Sequence, residues 1–584
     1  MRDTGKFGAS IPSKDVDNVQ NSALYADLNG HFLSPGGSHQ QFTPLPQSIQ
    51  LPDPSPLKYP VLQKLQTYGV GDAHHHGQSS RQTRICSNDD ACLLLENFFS
   101  SPDQIPHGTI LRRVSLLRTE GYRECSPGLL LAILCLSCYM PTVTGEPPLA
   151  HLGYGERTRL CNSLHAAALE LLESVYLCKT EATFDDALAT YILCSVATSD
   201  DENHKYLPHR MVCFNFLTKQ LQLNIVPEGI SAEEKEERRR LWWAAYIVDK
   251  HSSFSFNLRP TLAEAECRFI HRPCCDDVWQ SDDDLLEDEP DRVQGLGYEV
   301  HSLDWFGVFV PLAAILSDLL EYHYLRQHPS LGSRIDLLNT LRATIEQNMA
   351  VFSKSVRELH DRTRKNYRME NLVGVSVMVW DAGELRDLDK EFPSEPKLLL
   401  YAWHMLHCMY TILYGKLDPV DIFEDTEWLL SNDFLIAAEH ADKCTKVTAQ
   451  ILRLDPKLHG FYRLFGTYFL HSSFIFLILA RKLRQSADDY ILNSCRTYLR
   501  TLEAFAATVN IKYQKTFARV LQDTISKCVE AQNQQKLQPD AAESAASADD
   551  WLDPEILNYR WTAGHGGLWN GEMGRQSEPK KRNI

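Results

Sequence analysis

Apolar residues recur at helical spacing along most of this chain. The runs ACLLLENFF (from Ala91), SPGLLLAILCLSCYM (from Ser126), ERTRLCNSLHAAALELLESVYLC (from Glu156) and HRMVCFNFLTKQLQL (from His209) are all of helix length. Alternating strand patterns are nearly absent, so the expected fold class is all-α, in two packed helical lobes. Ser126 followed by Pro127 predicts a helix start. Pro311, inside an apolar run, predicts a bend. Leu499, Leu502, Phe505, Val509, Phe517 and Leu521 fall roughly on one stripe near the end of the second lobe.

Polar stretches set the expected boundaries. Residues 1–58 are rich in Pro, Gly, Ser, Gln and Asn, which predicts a disordered segment. Residues 59–90 follow as a linker in which His74–His76 lie in a solvated loop. The first helical body is expected over 91–385, interrupted by an acidic loop at 276–292, and the second lobe over 386–535. A partly disordered tail, 536–584, mixes acids with aromatics and ends in a basic PKKR.

Composition narrows the function. With 584 residues, 43% of them hydrophobic, the chain can bury a large interior, and its net charge of −17 opposes a surface that coats nucleic acid. The sixteen cysteines are scattered, often inside apolar runs, as expected of reduced thiols in a cytosolic or nuclear protein. No secretory signal is expected. Leu464–Ala480 is marginally long enough to span a bilayer, but its central His and Ser residues fit a buried helix equally well.

The stretch EEKEERRRLWWAAYIVDKHSSFSFNLRP, from Glu233, concentrates charge beside two adjacent tryptophans. Ser231 and Glu234 make a capping box that should start a helix. Glu234 with Arg238, and Glu236 with Arg240, stand at i,i+4 and should neutralise part of the basic run. Leu241, Ala245 and Val248, widened by Trp242 and Tyr246, predict a buried face, with each indole N–H needing a partner. The helix should stop before Asn257, because Pro260 extends Arg259. These features predict a structural helix with a solvated charged end, and an Asp249–Arg259 pair that closes the turn. Direct DNA contact by this helix is not expected.

These residues also carry a resemblance. RRRLWWAAYIVDKHSSFSFNLRPTL followed by DDVWQ resembles the fungal-specific transcription factor domain, and is most similar to the xylanolytic transcriptional activator family. YPVLQ, LRRVSLLRTEGYRECSPGLLLAIL, FGVFVPLAAILSDLLEYHYLRQHP, LYGKLDPVDIF, ILRLDPKLHGFYRLFGTYFLHSSFIFLILARKL and YRWTAGHGGL follow in family order, covering about residues 59–568. The resemblance implies a nuclear transcription factor controlling carbohydrate-utilisation or other pathway genes. It makes 91–385 a regulatory domain that restrains or releases activation in response to an inducer. Arg239, Trp242, Trp243, Asp249, Arg259 and Pro260 are the candidates for holding that switch, and Lys580, Lys581 and Arg582 for nuclear import.

The family's six-cysteine binuclear zinc cluster has no counterpart here, so no cofactor is expected in this chain. No cysteine precedes Cys86, and the one C-x2-C pair, Cys135 and Cys138, lies in an apolar helix and is expected in the core. Adjacent Cys274 and Cys275 are expected to be structural. DNA would then be reached only indirectly, through a zinc-cluster partner or homodimer, or through an N-terminal module outside this sequence. Coactivators are expected partners, and no membrane is. DDWLDPEILNYRW fits an activation segment, or a C-terminal element docked on the helical body.

Catalytic signals are weak. No G-x-G-x-x-G, Walker lysine, G-x-S-x-G or H-E-x-x-H is present, and His404 and His407 are expected to be interior histidines despite their i,i+3 spacing. The protein is therefore expected not to be an enzyme. The competing readings are a cofactor or dominant-negative partner of a zinc-cluster factor, and a non-nuclear helical enzyme or membrane-associated protein.

Overall fold

A computed structural model describes residues 57–70, 85–100, 106–142, 145–196, 207–283, 285, 292–371, 397–458, 465–509, 512–537 and 559–568. Of the expected segments, 1–56, His74–His76, the acid-aromatic stretch before Tyr559 and Lys580–Arg582 lie outside the described residues. So does the boundary placed at 386.

Among the described residues the fold is helical, with isolated bridges and no strand. The chain begins with α1 (Asn88–Phe99), α2 (Arg113–Leu117), α3 (Pro127–Tyr139), α4 (Tyr154–Tyr176), α5 (Phe184–Ser195), α6 (Leu207–Gln220) and α7 (Ala232–Phe256). A short α8 (Asp276–Trp279) precedes α9 (Trp305–Arg326) and α10 (Ile335–Asn371). Then come α11 (Lys397–Tyr414), α12 (Pro419–Glu424), α13 (Thr426–Leu429), α14 (Asn432–Leu454), α15 (Gly466–Leu483), α16 (Asp489–Val509) and α17 (Lys512–Leu537); residues 55–584 cluster as one compact unit. Here α11 packs on α14, and α15, α16 and α17 pack on one another. Helix α9 packs on both α7 and α11, and α7 also meets α15, with Tyr468 Oη 2.8 Å from His251 Nδ1.

Local signals explain several of these elements. Ser126 Oγ accepts from Leu129 N at 3.2 Å and Pro127 occupies the first turn, as the sequence predicts for α3. Pro311 sits inside α9, which Asp304 caps through Gly307 N at 2.8 Å. Leu499, Leu502, Phe505, Phe517 and Leu521 are buried, and the stripe they form is shared between α16 and α17.

The region expected as a linker differs. Pro60–Tyr68 forms a 3-10 helix that packs on α3 and buries Val61, Leu62 and Leu65, because its few apolar residues cluster on one side. The polar run after Arg357 is likewise helical, continuing α10 to Asn371. One described helix, α9, is long and apolar enough to cross a bilayer, with 78% of its apolar window buried inside the protein. α15, which covers most of Leu464–Ala480, is also buried, so its polar residues sit in the interior.

Candidate functional site

The charge-rich helix with the two tryptophans is α7, most of whose residues are buried. Its start follows the predicted capping box: Ser231 Oγ accepts from Glu234 N at 3.2 Å, and the Glu234 carboxylate accepts from Ser231 N at 2.9 Å. That occupies Glu234, so the expected Glu234–Arg238 pair does not form. Arg238 instead donates to the carbonyls of Leu221 (2.8 Å) and Gln222 (3.1 Å) at the end of α6.

The charged end is solvated only in part: Glu234 is exposed and Glu233, Lys235 and Arg238 are half-buried, but the next turn is enclosed. Glu236, Glu237, Arg239 and Arg240 are all buried, because residues around Thr109 and Cys274 close over the helix. Arg240, 0% exposed, pairs with Glu236 at 3.1 Å, as its spacing predicted, and with Asp276 at 2.6 Å. It also donates to the Thr109 carbonyl at 2.8 Å and the Cys274 carbonyl at 2.7 Å. Its guanidinium carbon lies 4.9 Å from the Trp279 ring centre and 5.4 Å from that of Phe306.

Glu236 is equally committed. Arg292 stands 2.7 Å and Arg239 3.6 Å from it, and the Cys274 amide donates at 2.8 Å. Burial pushes this carboxyl up, but Arg240, Arg292 and the Cys274 amide outweigh it and hold it below the usual carboxylate range. A second buried pair, Arg123 with Glu237 at 2.7 Å, is extended to Asp185 at 2.9 Å, tying α7 to α5.

Trp242 and Trp243 are both fully buried, as predicted. Trp243 Nε1 donates to the His271 carbonyl at 2.9 Å and its ring meets Tyr246 edge-on at 5.9 Å. The Trp242 N–H has no oxygen or nitrogen partner and faces the Cys267 thiol, which burial pushes up to about 12.

The Asp249–Arg259 pair is overturned. Asp249, 1% exposed, accepts from the amides of Thr261 (3.0 Å) and Leu262 (2.9 Å), from Thr261 Oγ1 at 2.8 Å and from Asn215 Nδ2 at 2.7 Å. Lys250 Nζ is 3.5 Å away and also 3.1 Å from Glu264. The carboxylate does close the turn, but through backbone amides that Pro260 turns toward it. Arg259, with a side chain 62% exposed, lies over Tyr324 at 4.5 Å and stands 3.6 Å from Glu321, while Pro260 is half-buried. Arg239, Trp242, Trp243 and Asp249 thus share one buried helix, and Arg259 and Pro260 mark its outer edge.

Sequence reasoning missed the contact at the other end of α7. The helix stops at Asn257, in left-handed conformation at φ 49°, as the NLRP stretch predicted. Asn257 Nδ2 donates to the carbonyls of Thr562 (2.9 Å) and His565 (2.8 Å), while Trp561 Nε1 donates to Phe254 O at 2.8 Å. Residues 559–568 therefore dock across α7, with Trp561 fully buried. Of the two readings of this stretch, docking holds for the described part. Gly567 is required there, at φ +53°, because a Cβ would lie 2.6 Å from the Ser255 carbonyl.

The histidines of α11 are interior. His404 Nδ1 is 3.1 Å from Thr448 Oγ1, and His407 Nδ1 is 3.1 Å from His440 Nδ1. Cys135 and Cys274 are buried; Cys138 and Cys275 are partly exposed.

Residues 95–330 match the fungal specific transcription factor domain. Three similar proteins are xylanolytic transcriptional activators. That of Aspergillus clavatus is 25% identical over 90% of this chain and 62% of its own length. That of Emericella nidulans is 27% identical over 90% of this chain and 66% of its own. That of Aspergillus niger is 25% identical over 92% and 65%. The chain thus spans less than two thirds of the length of these relatives. No solved structure matches. Residues 95–330 of this chain, which include α7, are thus similar to the fungal specific transcription factor domain, and most of its length is similar to xylanolytic transcriptional activators.

Proposed function

We propose that this protein is a nuclear regulator of transcription whose helical body is the control region, acting on genes of carbohydrate utilisation or a related pathway. One observation carries the reading: the cationic, tryptophan-bearing helix spends its charges on internal partners. Arg240 is fully buried between Glu236 and Asp276, so it offers nothing to phosphate. A net charge of −17 points the same way. DNA is reached through a zinc-cluster partner, a homodimer or a module outside this sequence. α7 transmits state between the lobes, with Trp242, Trp243 and Asp249 holding its packing.

The test fuses the full chain to an independent DNA-binding module and reads a reporter on glucose and on xylan-derived pentoses. Carbon-source-dependent output is expected, with Asp249→Ala altering basal or induced output at equal protein level. Output that ignores carbon source, together with an Asp249→Ala variant identical to the parent, would overturn the proposal. In a gel-shift assay the unfused chain alone should not retard DNA.

A further inference from the structure

Three thiols meet where α3 packs on α4, in a part of the molecule that the regulatory reading does not use. Cys135 Sγ donates to the Cys161 carbonyl at 3.6 Å, and Cys161 Sγ donates to the Cys135 carbonyl at 3.9 Å. Each sulfur thus reaches across to the other residue's own backbone, which requires a close helix crossing. Cys138 lies one turn beyond Cys135 on α3, on the same side of the helix. Cys135 and Cys161 are buried, whereas Cys138 is partly exposed and gives the cluster an edge open to solvent.

We propose that Cys161 and the Cys135/Cys138 pair form an oxidant-responsive thiol centre, in which a hydroperoxide converts two of the three thiols into a disulfide joining α3 to α4. Cys161 is the attacking sulfur. It is the one cysteine of α4, so any bridge from an α3 thiol to α4 must include it. The Cys161 thiolate attacks one peroxide oxygen, the O–O bond breaks, and hydroxide leaves with the electron pair. The resulting sulfenic acid is attacked by the sulfur of Cys138 or Cys135. A sulfur–sulfur bond forms, and the sulfenic oxygen departs as water with the thiol's proton. In total two thiols and one hydrogen peroxide give one disulfide and two waters. Two electrons pass from sulfur to oxygen, and a dithiol reductant reverses the change.

The experiment exposes the folded full-length chain to hydrogen peroxide, then alkylates all remaining thiols in denaturant and maps the peptides by mass spectrometry. Two of the sixteen cysteines should escape alkylation. The cross-linked peptide should contain Cys161 joined to Cys135 or Cys138, and dithiothreitol should restore all sixteen. Alkylation of all sixteen under conditions that oxidise glutathione would overturn the proposal, as would a bridge that omits Cys161. Cys161→Ser should abolish the cross-link at unchanged helical circular dichroism. Should that variant fail to fold, the wild-type peptide map alone decides the matter.

Discussion

Asp418 and Arg560 are 142 residues apart and form a two-oxygen ion pair, with Arg560 Nε 2.9 Å from each carboxylate oxygen. The same carboxylate caps α12 through Val420 N at 3.0 Å and accepts from Trp561 N at 2.7 Å. One buried acid therefore ends a loop, starts a helix and fastens the C-terminal segment. Asp418→Ala removes the cap and the pair together and should cost about 2–4 kcal/mol. Chemical denaturation would measure the loss, and limited proteolysis should cut near Tyr559–Leu568 sooner. An unchanged midpoint with unchanged cleavage would show that the segment is held by Trp561 packing alone.

Asp249 and Arg259 make opposite demands. Asp249 satisfies two amides, a hydroxyl and a side-chain amide in the interior, so Asp249→Ala leaves several buried donors without an acceptor. A loss of about 3 kcal/mol or more follows. Arg259 is largely exposed, and Arg259→Ala should cost no more than about 1 kcal/mol. Equal losses in the two variants would restore the ion-pair account of this turn.

What the sequence could show depended on the range of each cause. Helix identity, the Ser231 cap, the Ser126–Pro127 start and the burial of Trp242 and Trp243 follow from residues within a turn or two, and all are legible. The Arg240 network is not, because Asp276 and Arg292 reach α7 from a loop whose acidity reads as solvated. Arg259 misled for a related reason: opposite charges ten positions apart suggest a pair, while the amides that win carry no signal in the side chains. The docking of Trp561 depends on Asp418 and Asn257 at once, and nothing local to any of the three announces it.

Arg240 is the strongest test of the buried network. Arg240→Met keeps volume and stem packing but leaves Asp276 without its close partner and Glu236 with one cation fewer. The expected loss is about 3–5 kcal/mol. Arg240→Lys should recover only part of it, since a single ammonium cannot reach Glu236, Asp276 and the carbonyls of Thr109 and Cys274 together. Because Arg240 is fully buried, added salt should change neither figure much. A Lys variant as stable as the parent would mean that charge alone, without the guanidinium's geometry, holds α7 in place.

Acid should act through His471. Its ring is fully enclosed by Phe254, Phe474 and Trp561, at centroid distances of 4.9, 5.4 and 4.7 Å, and neither nitrogen has a partner. Burial lowers its pKa to about 3 from an ordinary 6.5. The unfolded chain therefore takes up this proton first. Its contribution to stability is intact above pH 6.5 and is lost as pH falls from 6.5 toward 3, at about 1.4 kcal/mol per pH unit. His251, lowered to about 3 by burial, shifts with the same sign. His471→Phe keeps an aromatic ring and removes the titration. It should match the parent at pH 7.5 and exceed it by about 2 kcal/mol at pH 5. Denaturant midpoints across this range would measure the difference. Parallel curves for the two proteins would mean that the imidazole finds a proton partner inside the fold, and that acid loosens the Trp561 contact by another route.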